Sequence, residues 1–301
     1  MADSVALYEA LAVGRARLIE AGVSPADAAV DVDVYARVIL GWDKATLVAN
    51  QRDASPATLE PKFSEWIARR ERREPTAYIL KGREFWGREF LVTPAVLVPR
   101  PETEFIVEES LPLMGGMHGA RAPRIADIGT GSGILGITLA SELPDSTVVA
   151  TDLSGEALEV ARENARRLGV VDRIAFVETS YLDHVDGLFD LIVANPPYVK
   201  DGDKRALSRD VRHEPDVALF GGPDGLRDVG GVLDAAVRAL RPGGWFVMEF
   251  GYGQEDDVRR LVAARPRLRL ERIRNDLQGI ARTAVLQNAV NSQPPTPKAT
   301  S

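Results

Sequence analysis

Through the first quarter of the chain, apolar positions recur every three to four residues; further on they gather into short continuous runs. Leu7, Leu11 and Leu18, then Val30, Val34 and Ile39, then Leu59, Phe63, Trp66 and Ile67 follow helical spacing, which predicts a small helical bundle over residues 1 to about 75. Ser4, Ser24 and Ser55 stand where N-caps belong, and Pro25 and Pro56 stand where a first helical residue can lack its N–H. The run Arg69-Arg70-Glu71-Arg72-Arg73 closes the bundle and reads as a solvated helix end, with a nucleic-acid contact as the alternative.

Residues 76–101 have a different pattern. Two β-rich pieces, Ala77 to Leu80 and Phe90 to Val92, surround Gly82 and Gly87 and predict a hairpin connector. Prolines on both sides stiffen Arg100 in Val98-Pro99-Arg100-Pro101-Glu102-Thr103-Glu104; an aimed arginine and a rigid linker before an acidic helix start both fit. Residues 102–287 form the next domain, and from Arg124 onward strands and helices alternate. Strands are predicted at Arg124 to Ile128, Thr147 to Asp152, Ile174 to Val177, Leu191 to Ala194 and Trp245 to Phe250, with helices starting near Ser132, Ser154, Gly225 and Glu255. That is a doubly wound α/β domain. Leu268 to Arg274 and Thr283 to Gln287 have no helix between them, so they predict an antiparallel pair at the sheet edge. The proline-bearing stretch 288–301 reads as a disordered tail.

Composition then narrows the possibilities. With 45% apolar and 27% charged residues in 301, the chain reads as a soluble protein of two domains. The net charge of −7 gives no broad basic field for nucleic acid, so no direct nucleic-acid binding is expected. The absence of cysteine rules out disulfides and thiolate chemistry, and three scattered histidines, His118, His184 and His213, argue against a metal centre. No stretch has the apolar length of a membrane span or the pattern of a signal peptide, which makes the cytoplasm the expected location.

Two stretches carry the chemistry. Asp127-Ile128-Gly129-Thr130-Gly131-Ser132-Gly133 follows a strand and opens a helix, a turn that lets a ligand lie against bare backbone. Ile134 stands where a dinucleotide fingerprint needs glycine or alanine, which argues against pyrophosphate. Asp152 ends the next strand, where a carboxylate can accept both hydroxyls of a ribose; together these residues predict a nucleoside-type cofactor. The second stretch is Asn195-Pro196-Pro197-Tyr198. Its prolines stop the buried strand before it, leaving an amide and an aromatic ring at the carboxyl edge of the sheet, where open α/β folds bind ligands.

The glycine loop, Asp152 and Asn195-Pro196-Pro197-Tyr198 resemble the class I S-adenosylmethionine-dependent methyltransferases, in the branch that methylates planar nitrogens. Glu84-Phe85-Trp86, the segment Val98 to Glu104, Arg212-His213-Glu214-Pro215, Ala218-Leu219 and Gly225-Leu226, behind a helical domain and a hairpin, narrow the resemblance to the peptide chain release factor glutamine N5-methyltransferases, the PrmC/HemK family. The match runs from about residue 5 to 287. It implies a seven-stranded Rossmann-like sheet with an antiparallel C-terminal hairpin, and S-adenosyl-L-methionine as cofactor. It also implies that Asn195 Oδ1 and the Pro196 carbonyl accept the two N–H bonds of the acceptor amide, with Pro197 beside them and Tyr198 packed on the planar group. Asp127, Gly129, Thr130, Gly131, Ser132, Gly133, Asp152, Leu153, Tyr181, Asn195, Arg100 and Thr103 fall on the cofactor side. The implied partners are class I release factors, gripped by the helical domain and modified at the glutamine of a Gly-Gly-Gln loop by a monomeric enzyme.

One departure stands out: Ser180-Tyr181 occupies the place where the family usually has an acidic and then an aromatic residue, the latter lying against adenine. Asn275 to Arg282 is expected to be a structural turn, and the charged stretch Lys200 to Glu214 a lid or a surface loop. A glutamine of a ribosomal protein, a nucleic-acid base, and a cofactor-binding scaffold without turnover remain as alternative readings.

Overall fold

A computed structural model describes residues 5–115 and 122–289, so Ser4, His118 and the stretch 290–301 lie outside the described residues. The chain divides into two compact units, Met1–Gly82 with Ser208–His213, and Arg83–Leu207 with Glu214–Ser301.

The first unit holds α1 (Leu7–Glu20), α2 (Pro25–Leu40), α3 (Lys44–Ala49), α4 (Lys62–Glu71) and α5 (Thr76–Leu80). Ser24 caps α2 by accepting from the Asp27 N–H at 3.1 Å, with Pro25 in the first turn. Gly14 lets α1 approach α4: a Cβ there would stand 2.9 Å from the Phe63 ring. Tyr35 meets Trp66 edge to face, with centroids 5.5 Å apart.

Four expectations change in this unit. Ser55-Pro56 starts no helix; α4 begins at Lys62, after Pro61. In α2 the buried stripe is Ala28, Val32, Tyr35 and Ala36, and Val30 is exposed. The stripe also carries Asp31 inward, where it meets a buried cation. That cation is Arg70, part of the run expected to be solvated: its Nε donates to Asp31 at 2.7 Å, and its NH2 group stands 2.9 Å from Asp210. Arg69 pairs with Glu74, and Arg73 with Asp210. Finally, Ala77 to Leu80 is helical: the short α5 follows Pro75 and buries Ala77, Tyr78 and Ile79.

In the second unit, β1 (Arg83–Phe85) and β2 (Arg88–Phe90) form the hairpin. Its turn, Trp86-Gly87, has φ of +53° and +68°, the handedness of a two-residue type I′ connection. Phe85 and Phe90 are buried in the sheet's core with Ile106 and Val107, so the hairpin belongs to this unit and is no free connector.

There follow α6 (Glu104–Gly115), β3 (Arg124–Ile128), α7 (Ile134–Glu142), β4 (Thr147–Asp152), α8 (Gly155–Arg167), β5 (Ile174–Glu178), β6 (Phe189–Ala194), α9 (Asp216–Leu219), α10 (Arg227–Ala239), β7 (Leu240–Glu249), α11 (Glu255–Ala263), β8 (Leu268–Asn275) and β9 (Ala281–Asn288). The sheet has seven strands in the order β5-β4-β3-β6-β7-β9-β8, parallel up to β7 and antiparallel beyond. α7 and α10 start two residues later than expected, at Ile134 and Arg227.

Asn288, placed in the tail by sequence, is the buried last residue of β9 and donates to the Leu240 and Arg241 carbonyls at 2.9 Å. Asn275 to Arg282 turns around Asp276, whose carboxylate accepts the Gln278 and Ile280 N–H groups at 2.9 Å. The Lys200 to Glu214 stretch is divided: a 3₁₀ turn at Asp201–Arg205 lies in the second unit, while Ser208–His213 belongs to the first. β3 has β4 on one side and β6 on the other, with Ile128 in register with Ala194. The chain direction reverses its order here, so the loops after β3 and β6 open side by side.

Candidate active site

β3 ends where Gly129 and Thr130 both donate to the Thr151 carbonyl at 2.9 Å, tying the glycine loop to β4. Asp127 holds the loop from beneath: it is buried, and its Oδ2 accepts from the Thr130 hydroxyl at 2.6 Å and the Gly136 N–H at 2.8 Å. Burial pushes its carboxyl up to about 6, against the pull of those two donors. Asp152 accepts from the Gly131 and Ser154 N–H groups, each at 2.9 Å, and burial raises it too. Gly129 and Gly131 have φ of +70° and +54°, and a Cβ on either would project into open space. That space belongs to the ligand cavity.

The cavity has a volume of about 140 Å³ and is open to solvent. Eight of the sequence-predicted residues line it: Gly129, Gly131, Asp152, Leu153, Tyr181, Asn195, Pro196 and Pro197. The remaining ones stand elsewhere. Asp127 stands beneath the loop, and Thr130, Ser132 and Gly133 belong to the loop but not to the cavity wall; Thr130 and Ser132 are buried, and the Ser132 carbonyl accepts from Asn164 at 2.8 Å. Arg100 donates to Glu214 at 2.7 Å and lines a separate hollow with Glu84 and Glu104. Glu214 also accepts the Val98 N–H at 3.0 Å, which fixes that loop.

Tyr198 turns its hydroxyl to Glu249 at 3.0 Å and is not among the cavity walls; its phenol is pushed up by burial and by that carboxylate. Thr103 is fully buried and is bonded to Asn195 and Glu249. Walls the sequence did not single out include Val96, Leu97, Thr179, Val217, Arg227 and Asp228. Behind the tetrapeptide, buried Gln254 donates to the Tyr198 and Gly225 carbonyls at 3.1 and 3.2 Å. His213 lies outside the cavity, its Nε2 3.0 Å from the Arg72 carbonyl.

At the carboxyl end of β6, the Asn195 Nδ2 donates to the Thr103 hydroxyl at 3.1 Å. The amide oxygen is thereby left toward the cavity, next to Pro196, whose carbonyl receives no protein hydrogen bond among the described residues. Two acceptors side by side suit a planar group with two N–H bonds. Among the described residues, no three of His, Asp or Glu are grouped to hold a metal ion.

The sheet order, the glycine turn paired with an acid at the switch point, and an Asn-Pro-Pro-Tyr exit define a class I S-adenosylmethionine-dependent methyltransferase. Residues 109–214 match the methyltransferase small domain, and residues 9–80 the PrmC N-terminal domain. The chain belongs to the release factor glutamine methyltransferase family. The release factor glutamine methyltransferase of Bradyrhizobium diazoefficiens is 41% identical over 257 residues, covering 85% of this chain and 86% of its own. That of Bordetella pertussis is 39% identical over 253 residues, covering 84% and 92%. The hMettl16 catalytic domain shares the fold alone, at 16% identity with a TM-score of 0.57 over 77% of this chain and 84% of its own.

S-adenosyl-L-methionine is the methyl donor, and the cavity residues fit it. Bare backbone at Gly129 and Gly131 leaves room beside the loop, the Asp152 carboxylate suits a ribose diol, and Leu153, Val217 and Tyr181 give apolar faces for a base.

Proposed function

We propose that this protein methylates N5 of the glutamine in the Gly-Gly-Gln loop of class I peptide chain release factors. The observation that carries the reading is the Asn195 carboxamide, held by Thr103 with its oxygen toward the cavity beside the Pro196 carbonyl. A side-chain amide nitrogen is a poor nucleophile because its lone pair is delocalised. Asn195 Oδ1 and the Pro196 carbonyl accept its two N–H bonds and fix the plane of the amide, so the lone pair has one direction in which to react. S-adenosyl-L-methionine, when bound, supplies a methyl carbon made electrophilic by a sulfonium and departs as the neutral thioether. Holding two reactants in attack geometry lowers a barrier by about 7–11 kcal/mol, so no strong base is required. One amide proton leaves to solvent once the new N–C bond has formed.

The reading includes a helical unit that grips the protein substrate and a cytoplasmic monomer that takes no nucleic acid; the net charge of −7 supports the last point. No helix among the described residues is long and apolar enough to cross a membrane.

The test is incubation with methyl-labelled S-adenosyl-L-methionine, a class I release factor and its Gly-Gly-Ala variant, followed by mass spectrometry. Label on the wild-type glutamine alone is the expected result. Label on neither factor, with cofactor binding intact, would overturn the substrate and send the search to ribosomal proteins and nucleic-acid bases.

A further inference from the structure

The catalytic amide rests on a chain of hydrogen bonds that ends at a buried acid. Asn195 Nδ2 donates to Thr103 Oγ1 at 3.1 Å, the Thr103 hydroxyl donates to Glu249 Oε2 at 2.8 Å, and the Tyr198 hydroxyl donates to Glu249 Oε1 at 3.0 Å. Glu249, the last residue of β7, is 2% exposed, and Thr103 is wholly buried. When ionised, the Glu249 carboxylate can only accept, so both hydroxyls then spend their protons on it, as the two hydrogen bonds show. Thr103 then has only lone pairs to offer Asn195, and a lone pair can meet only the NH2 end of the carboxamide. The amide oxygen is thereby directed at the acceptor nitrogen.

Without that constraint the Thr103 hydroxyl could turn and donate to Asn195 Oδ1. The carboxamide would then face the substrate with N–H groups, donor against donor.

We propose that Thr103 and Glu249 are positioning residues for methyl transfer: Glu249 directs the Thr103 hydroxyl, and Thr103 sets which end of the Asn195 carboxamide meets the substrate. The inference rests on the proposed function for what Asn195 holds. Packing alone does not account for the arrangement, since valine would fill the place of Thr103 equally well.

The surroundings of Glu249 make the device pH-sensitive. Burial raises its carboxyl most, Glu102 raises it further, and Thr103, Tyr198 and Arg282 pull it down. The net direction is upward, and a protonated Glu249 would carry a donor of its own and no longer oblige both hydroxyls to point at it.

The experiment has two arms on the full chain. In the first, the side-chain NH2 signals of Asn195, assigned by their loss in Asn195→Ala, are followed by ¹H–¹⁵N NMR from pH 8 to 5. They are expected to shift with an apparent pKa above the ordinary carboxylate range and to lose that dependence in Glu249→Gln. Signals that keep their wild-type positions in Glu249→Gln at every pH would overturn the proposal, whatever the substrate proves to be.

In the second arm, Thr103→Val and Thr103→Ser are assayed with a full-length release factor. Displacing a reacting group can cost up to about 100-fold, so Thr103→Val is expected to lower kcat about 10- to 100-fold, with the calorimetric Kd for S-adenosyl-L-methionine within about threefold. Thr103→Ser is expected to recover most of that loss. Equal losses in both variants, or full turnover in Thr103→Val, would overturn it. Should Thr103→Val fail to fold, the NMR arm decides alone. A wild type inactive on release factor counts against the proposed function and leaves the NMR result standing.

Discussion

The Tyr181 hydroxyl donates to Asp228 Oδ1 at 2.9 Å, joining the turn after β5 to the first turn of α10. The Tyr181 phenol is pushed up to about 12 by burial and by that carboxylate. Its ring lies so close over α10 that a Cβ on Gly231 would stand 2.2 Å from it. Asp228, from the helix opposite, brings a carboxylate to the same wall of the cavity as Tyr181.

Tyr181→Phe cuts the tether and leaves Asp228 short of a partner. A hydrogen bond to a charged group contributes about 1.5–3 kcal/mol, part of which falls on the shape of the wall. The Kd for S-adenosyl-L-methionine should rise about 3- to 10-fold by calorimetry. Gly231→Ala should weaken binding more, because the ring must leave its place. Unchanged affinity in both variants would mean that this wall does not touch the cofactor.

The parts of this site that sequence displays are those whose signal is local. The run Leu191 to Ala194, stopped by two prolines, and the glycines after Ile128 give strand ends and their loops directly, and β3 and β4 have the predicted bounds. Long-range partners leave no such trace. Thr103 and Glu249 are 146 residues apart, and Arg100 and Glu214 are 114 apart, so motif membership alone put Arg100 and Thr103 with the cofactor. Asp31 disguised the buried face of α2 because its partner Arg70 lies 39 residues on. Ala77 to Leu80 is too short to show a period, and a buried helical turn and a buried strand have the same composition there. Aliphatic walls such as Val96 and Val217 carry no chemistry of their own and so gave no signal.

Asp152 has two tasks that one substitution separates from packing. Its carboxylate holds the Gly131 and Ser154 N–H groups and is expected to take the ribose hydroxyls. Asp152→Asn keeps the size, but its amide end can no longer accept from one of those N–H groups and offers a donor in place of an acceptor. With charged hydrogen bonds contributing about 1.5–3 kcal/mol, cofactor Kd should rise at least about tenfold while the far-ultraviolet spectrum stays unchanged. Retained affinity would remove Asp152 from the ribose site.

In the helical unit the cation to watch is Arg70, whose side chain is 6% exposed between Asp31 and Asp210. Asp31 also accepts from the Thr76 hydroxyl at 2.6 Å, so its loss breaks a network. Asp31→Ala leaves the Arg70 Nε buried without its acceptor, and removing one partner of a buried pair costs about 3–5 kcal/mol. Amide hydrogen exchange should show α2 and α4 losing protection while β6 keeps its own. Undiminished protection in α2 and α4 would mean that Asp210 alone suffices for Arg70.

Asp127 gives the helix-opening loop a stability that depends on pH. Its carboxyl has an ordinary value of 3.8 and is pushed up to about 6 in the folded chain. Between those values the folded protein holds a proton that the unfolded chain has released, so this group's contribution is complete below about pH 4 and is lost as pH rises through 6. A shift of about two pKa units corresponds to about 3 kcal/mol. Asp127→Asn cannot titrate, yet its oxygen still accepts from Thr130 or Gly136. Relative to wild type, the variant should therefore gain about 3 kcal/mol between pH 4 and pH 7, read from urea unfolding at each pH. A wild-type-to-variant difference that stays constant over that range would mean that Asp127 is ionised throughout, with Thr130 and Gly136 outweighing its burial.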